Sequence, residues 1–512
     1  MRQTKINQHG IRAFLLLIPA AFAGVVYLLT MSPGVVGFDS AELITGAYTL
    51  SIVHPTGYPL YLLIAKLFTF LPIKTIAYRV NLVSVVFGVA AIYLITRWIY
   101  SYSRSILASW VGSLLLAISF GMWSMATVAE VYTLQVSLII TILVVMRQWL
   151  LCNQDRWLYL LAFVFGLSMT NHVTSALLIP SLALVVCSKL GVKGTLKKLP
   201  FVGFSSLMGL MVYLYLPIRF AADPPLNYVK NYYNIDLSTL SGLFWMISGR
   251  AYRFFAFGYD IHGYLREIVD AFVLLSKNFT ILGTSLGAIG AVRIIREHRR
   301  EGLALALAFF LNILFFAGYA VADKDTMFLP AFGVWALWVG VGTHAITSKI
   351  TEINLLYPKE RLILNRVFSA ALLVSFVIVG SGNLRWLDKS SNYSPDLYAR
   401  RVLATLPENA FVIGRWSSAV ILEYYQYVEG LRPDVHIFNR SRYEVAMYYD
   451  LWDRGITHEE AVRQILAIEE GIINAFAEER TVFDAEYNPY LAQYYEYQPV
   501  GQVFQLIPRA EG

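Results

Sequence analysis

Gly37-Phe38-Asp39-Ser40-Ala41-Glu42, followed by His54-Pro55-Thr56-Gly57-Tyr58-Pro59, is the stretch on which the reading of this chain turns. It places two carboxylates and a histidine just beyond a first apolar span, Ala13 to Met31, in a chain that is otherwise mostly greasy. Of its 512 residues, 57% are hydrophobic and only 15% charged, which lies outside the range of soluble domains and calls for repeated membrane spans. The first span is too long for a signal-peptide core, follows a basic leader with Arg2, Lys5 and Arg12, and shows no small-residue cleavage site. It is expected to be retained.

Working outward, apolar runs lie at about 13–31, 80–98, 105–122, 131–147, 157–171, 173–188, 199–218, 272–292, 302–322, 327–347 and 364–383. At ~30 Å of hydrocarbon per crossing these give roughly eleven spans. The net charge of +7 is spread between the runs, so it sets topology and does not mark a nucleic-acid surface. Alternate short connections are basic: Arg97/Arg104, Arg147/Arg156, Lys189 to Lys198, Arg293 to Arg300, and Lys349 to Arg366. The positive-inside rule puts them in the cytoplasm with the N-terminus, and an odd number of spans puts the C-terminus outside. Cys152 and Cys187 fall on the cytoplasmic side of this map and are expected to be packing residues.

The less usual polar residues then collect on the outer face. Asp39, Glu42 and His54 occupy the first external loop, about 32–76; Glu130 and Tyr132 the second; Asn171-His172 the third; Arg219, Arg250 and Arg253 the fourth; Asp323-Lys324-Asp325 the fifth. Ionisable groups at a membrane boundary are costly unless paired or used, so their accumulation on one side points to a site there. Within the first loop, Ala41–Ile52 and Gly57–Leu71 read as short helices, and Pro55, Gly57 and Pro59 make a stiff corner for His54.

Each of these residues also has a plainer reading. Asp39-x-x-Glu42 is equally a helix capping box, although residues three apart still share a face on which one carboxylate can accept a proton. Glu130 suits a helix N-terminus, His172 a hydrogen-bonded structural role, and Arg219 a snorkelling anchor. Arg250 and Arg253, on one face if helical, suit a phosphate or a solvated surface. Asp323-Lys324-Asp325 reads as a structural ion pair before a metal site.

Beyond Trp386 the long apolar runs stop. Strands are expected at 411–414, 435–438 and 502–507, with helices at 418–428 and 458–470, which together describe a small α/β domain outside the membrane. The division expected is a membrane domain over 1–383 and an extracytoplasmic domain over 384–512. No phosphate-binding loop, dinucleotide fingerprint or zinc spacing is present in the latter.

Taken in order, Gly37–Glu42, His54–Pro59, Tyr78-Arg79-Val80-Asn81, Ala129–Tyr132, Asn171-His172, Leu216–Arg219, Ser248–Arg253 and Asp323–Asp325 resemble the multi-span membrane family whose vertebrate relatives are protein O-mannosyltransferases of the GT-C glycosyltransferase class. The resemblance covers most of the membrane region. It implies an inverting transferase that moves mannose or another hexose from a polyprenyl-phosphate donor to a hydroxyl of a protein, lipid or glycan acceptor. The first-loop aspartate, Asp39 here, would be the catalytic base, with Glu42 and Glu130 as accessory acids. His54, Tyr58, Tyr132, Asn171, His172, Arg219, Arg250 and Arg253 would contact substrate.

The C-terminal part carries the likeness further through Leu406–Ala410 and Glu429–Val435, but has Arg415-Trp416 where an acidic residue is expected. Arginine can hold a lipid monophosphate leaving group, so the scheme requires no cofactor and leaves a divalent metal open. The expected location is the plasma membrane of a prokaryote or the endoplasmic reticulum of a eukaryote. A flippase for lipid-linked sugars and a non-catalytic scaffold are the competing readings; the absence of a duplicated pattern counts against the first.

Overall fold

The computed structural model describes residues 2–321, 323–352 and 358–509, with side chains from residue 10 onward, so that Arg2 and Lys5 of the leader fall outside the described side chains. The chain is a polytopic α-helical membrane protein with a small C-terminal sheet, and each of the expected apolar runs falls on a helix. Among the described residues eight helices are long and apolar enough to cross a membrane, or nine if Ile106–Ala117 and Phe120–Ala126, bent by 64°, form one span.

The sequence suggested more, and the difference lies in two places. Asp155–Asn171 has 17 residues, about 26 Å at 1.5 Å per residue, slightly short of the hydrocarbon thickness. Val173–Ala221 is a single stretch of 49 residues, about 74 Å and too long for one crossing. It is interrupted at Gly191, where φ is 67° and ψ 172°, inside the Lys189–Lys198 cluster at which the charge rule splits it. Cys152, the last residue of helix Tyr132–Cys152, and Cys187, on helix Ile179–Leu210, are both exposed, which corrects the expectation of packing roles.

The chain divides into two compact units, each assembled from three segments. The first comprises 1–31, 82–213 and 255–389. Its core runs through Trp98, Trp149, Phe309, Phe332 and Trp338, all fully buried. Helices Ile261–Glu297 and Leu329–Glu352 touch through glycine: a β-carbon on Gly290 would lie 1.9 Å from the Trp338 carbonyl, and one on Gly342 1.9 Å from that of Leu286. With no hydrophobic driving force between helices in lipid, such backbone approach supplies the packing.

The second unit comprises 32–81, 214–254 and 390–512. The first-loop helices appear as Asp39–Thr49 and Pro59–Thr69, close to the ranges expected. Five strands, β1 (Phe411–Gly414), β2 (His436–Asn439), β3 (Val482–Asp484), β4 (Tyr495–Val500) and β5 (Val503–Pro508), form a sheet of order β2-β1-β3-β5-β4. β1 pairs in parallel with β2 and β3, and β5 runs antiparallel to β3 and β4. Phe411, Ile413, Val482, Tyr495 and Leu506 pack with Ile473 as its core. The tyrosine-rich stretch near Tyr495 therefore belongs to sheet packing.

The expected strands at 411–414, 435–438 and 502–507 are present within a residue or so, and the expected helices become Trp416–Tyr427 and His458–Ala477. β3, with three residues, is too short to leave a periodic signal. Arg440, fully buried behind the sheet, bonds Glu469 at 2.5 Å and Asp484 at 2.7 Å.

Candidate active site

In the second unit, Asp39 is the first residue of helix Asp39–Thr49, whose N-cap is Phe38 at φ 62° with no side-chain capping bond. Glu42, three residues on, bonds His54 and Arg442. The corner His54–Pro59 folds back over this helix. Gly57 sits at φ 86°, where a β-carbon would meet Leu216 and Met246 at 2.9 Å, so only glycine fits there. The loop is pinned from its other side by Ile52, whose amide donates to the Leu226 carbonyl at 2.9 Å and whose carbonyl accepts from Tyr228 at 3.0 Å. That pairing delivers the Tyr228 ring to within 6.5 Å of the His54 ring.

The result is a chain of charged groups. His54 Nδ1 bonds Glu42 Oε2. Arg442 donates to Glu42 Oε1 at 3.2 Å and to Glu423 at 2.5 Å. His54 Nε2 faces the Tyr58 hydroxyl at 3.0 Å and Asp39 Oδ2 at 3.7 Å. Asp39 Oδ1 accepts from the Trp416 indole at 3.0 Å.

Burial differs sharply along this chain: the Glu42 side chain is 1% exposed and that of Asp39 36%. Burial alone would raise the Glu42 pKa, but His54 and Arg442 outweigh it and hold the carboxyl below its usual range. At Glu423 burial wins over Arg442, and the pKa goes up, helped by the charge of Glu42. For Arg442 burial opposes the charge, yet Glu423 and Glu42 drive its pKa well above the ordinary value. Beside this cluster lies a cavity of about 290 Å³, lined among others by Glu42, Asn227, Tyr228, Tyr232, Glu423 and Arg442.

The arginines expected to contact substrate are placed differently from one another. Arg219 is half-buried and donates through Nε to the Leu50 carbonyl at 2.6 Å, closing the end of the Asp39–Thr49 helix. Arg250 and Arg253 share the short 3₁₀ helix Arg250–Phe255. Arg253 pairs with Asp453 and lies 4.8 Å from the Trp452 ring centre, whereas Arg250 is exposed, next to a glycine that packs against Thr56.

Glu130, Tyr132, Asn171 and His172 belong to the first unit and gather there. Glu130 precedes helix Tyr132–Cys152 and donates its amide to Ser84 Oγ at 3.1 Å, and Lys389 feels its charge. Asn171 donates to Val131 O at 3.2 Å and to Gln135 Oε1 at 2.9 Å, and the Tyr132 and His172 rings lie 6.0 Å apart. His172 Nδ1 bonds the Thr174 hydroxyl at 2.7 Å. Lys324 pairs with Glu267 at 2.6 Å, and its charge also acts on the flanking Asp325. Among the described residues no group of three His, Cys, Asp or Glu side chains is arranged to hold a metal ion.

Sequence reasoning missed Trp416, Tyr228, Glu423 and Arg442. For Trp416 a signal existed, since Arg415-Trp416 is where the chain departs from the acidic residue the resemblance leads one to expect. For Arg442, three residues beyond β2 on helix Arg440–Asp453, nothing local marks it from a surface arginine.

The fold is that of a polytopic helical membrane protein with a small C-terminal sheet, and the sequence is similar to O-mannosyltransferases. A family model described as the Protein O-mannosyl-transferase TMEM260 N-terminal domain matches residues 39–194. The chain is 27% identical over 450 residues to mouse Protein O-mannosyl-transferase TMEM260, covering 82% of this chain and 62% of the relative. It is 22% identical over 495 residues to the Dictyostelium discoideum protein of the same name, covering 85% and 59%. It thus spans about three-fifths of the length of these curated relatives, 62% and 59%.

Among solved structures, ArnT from Cupriavidus metallidurans bound to undecaprenyl phosphate matches with a TM-score of 0.57 at 10% identity, over 96% of this chain and 97% of that one. The oligosaccharyltransferase AglB from Archaeoglobus fulgidus, in complex with an inhibitory peptide and dolichol-phosphate, matches with a TM-score of 0.56 at 12% identity, over 96% and 74%. These two likenesses carry the fold alone.

Proposed function

We propose that this protein is a membrane glycosyltransferase that moves a hexosyl group, mannose or another, from a polyprenyl-phosphate donor to an acceptor hydroxyl, inverting the anomeric centre, with Asp39 as base. The observation that carries the reading is the contrast between two carboxylates on one helix. Glu42 is sealed in ion pairs, while Asp39 is oriented by Trp416 through one oxygen and still a third exposed. The names of the relatives support the reaction class. The undecaprenyl phosphate in ArnT and the dolichol-phosphate and peptide in AglB support a lipid-linked donor and a protein acceptor.

In the step proposed, the acceptor oxygen attacks the anomeric carbon as the Asp39 carboxylate takes its proton. The carbon–oxygen bond to phosphate breaks, and the lipid phosphate leaves with the bonding electrons. Cations stabilise that charge, and Arg250, exposed beside the His54–Pro59 corner, is the arginine best placed to do so; Arg219 and Arg253 hold other groups. Glu130 remains in the proposal as an accessory acid on its motif alone. The asymmetry of Lys and Arg between the loops supports an extracytoplasmic site with the N-terminus in the cytoplasm. Exposed Leu63, Leu67 and Phe70 on and just after helix Pro59–Thr69 suit an interfacial position.

The test incubates the full chain in lipid nanodiscs with mannosyl and other hexosyl polyprenyl phosphates and a Ser/Thr-containing peptide. Sugar transfer by the wild type and its loss in Asp39→Asn, with donor binding kept, is the expected result. Donor left unconsumed by the wild type, or equal transfer by Asp39→Asn, overturns it.

A further inference from the structure

Helix Ile261–Glu297 of the first unit, one of those long and apolar enough to cross a membrane, leaves one stripe of its surface exposed. Ile281, Ser285, Ile289 and Val292 follow one another along it at helical spacing, and Arg296 stands four residues further on, in the last turn. Ile289 and Arg296 are about 10 Å apart at 1.5 Å per residue, within a single leaflet of ~15 Å. The end of the stripe borders a groove of about 550 Å³, lined by Ala288, Ile289, Val292, Arg293, Arg296 and Glu297.

The charges in this groove do not cancel. Glu297, its one carboxylate, accepts from Arg293 Nε at 2.8 Å on one oxygen and from the Tyr102 hydroxyl on the other. Arg296 is exposed, and no described residue bonds it; Arg299 and Arg300, also exposed, follow within four residues. An apolar stripe alone is what any span shows to lipid, and basic residues at its end are what topology demands. Here the two meet in one groove of ligand size, at a guanidinium whose charge is left over.

We propose that this groove binds an anionic glycerophospholipid of the surrounding bilayer, with its phosphate on Arg296 and an acyl chain along Val292, Ile289 and Ser285.

The site stands apart from the sugar chemistry and does not depend on it. Three features select the ligand. A guanidinium offers paired N–H donors to phosphate oxygens. Free phosphate has no apolar part to bury on the stripe, so it gains only the head contact. A zwitterionic lipid brings its own cation, which Arg293, Arg299 and Arg300 repel, whereas each basic residue near the surface adds about fivefold to the affinity for an anionic headgroup.

The experiment uses the full chain in neutral detergent. Tm is measured as phosphatidylglycerol, phosphatidylcholine or inorganic phosphate is added, and bound lipid is counted by native mass spectrometry. Phosphatidylglycerol is expected to raise Tm, as a ligand of the folded state does, and to stay bound; the other two are expected to do neither. Arg296→Gln should weaken phosphatidylglycerol about fivefold and leave the Tm without lipid unchanged. Val292→Asn, which puts an amide on the stripe, should weaken it too.

Arg156→Gln removes the same charge from an exposed residue that does not line the groove, and should keep the wild-type affinity. An equal loss in Arg156→Gln and Arg296→Gln would mean a general attraction between anionic lipid and a basic surface, and overturns the site. Phosphatidylcholine bound as tightly as phosphatidylglycerol, or inorganic phosphate raising Tm as much as the lipid, overturns it as well. Should Arg296→Gln not fold, Val292→Asn decides against Arg156→Gln, equal affinities counting against the site.

Discussion

The indole Nε1 of Trp416 donates to Asp39 Oδ1 at 3.0 Å, joining the first turn of two helices 377 positions apart in the chain. The contact ties the C-terminal α/β segment to the loop that follows the first span, within one compact unit. Trp416 can therefore hold the proposed base in its working rotamer without competing for its proton. Trp416→Phe should keep the fold and lower kcat/KM about tenfold, the scale of one hydrogen bond to a charged acceptor. An unchanged rate with polyprenyl-phosphate sugar would show that Asp39 is oriented by other contacts.

Arg442 has a different kind of role, since two carboxylates depend on it in a site where it is 3% exposed. Arg442→Met leaves Glu42 and Glu423 buried without their cation, which should cost about 3–5 kcal/mol and a matching fall in Tm. Arg442→Lys should recover only part of it, because an ammonium cannot bridge both carboxylates with the guanidinium geometry. Thermal unfolding in detergent, read from the near-ultraviolet signal of the aromatic cluster, measures both.

The same network predicts an acid dependence with a definite sign. Glu42 has a folded pKa below its unfolded value, so its stabilising contribution is complete above about pH 4.5 and is lost as the pH falls through the folded value. Glu423, raised in the fold, acts in the opposite direction: its contribution is complete below that pH and is lost as the pH rises through the folded value. Glu42→Gln should thus lower Tm at pH 7 more than at pH 4, and Glu423→Gln should do the reverse. Equal shifts at both pH values would contradict the ion-pair assignment.

Arg250 and Arg253 occupy one short helix but should respond differently to truncation. Arg250→Ala should raise KM for the lipid donor about tenfold and leave Tm within a degree or so, as for a phosphate contact. Arg253→Ala should act mainly on stability, by less than about 1 kcal/mol, because its pair with Asp453 is partly exposed. Donor titration and melting on both variants check the contrast.

In the membrane unit, Gly342→Ala places a methyl 1.9 Å from the Leu286 carbonyl and must push two helices apart. A loss of about 1–3 kcal/mol is expected. Gly382→Ala, where no atom lies within 4 Å, should be silent. Comparing the two in a detergent melt tests the glycine-mediated crossing.

The helical membrane part was legible because lipid demands long apolar runs whose hydrogen bonds close internally, and that demand is written residue by residue. The late sheet was half legible: β1, β2 and β5 leave short apolar runs, but β3 has three residues and β4 includes Pro499. Asp39, Glu42 and His54 stood out as ionisable residues beside a membrane, and Pro55, Gly57 and Pro59 announced the corner that carries His54.

What no local pattern contained was the sorting of two carboxylates three residues apart. Composition, periodicity and charge asymmetry alone determined a many-span helical protein with its unusual polar residues at the loops. Only the tertiary structure decided that Glu42 would be locked by Arg442, 400 positions away, and Asp39 left partly open under Trp416. The physical reason is that desolvation and ion pairing depend on which distant side chains arrive, and chain proximity says nothing about that arrival.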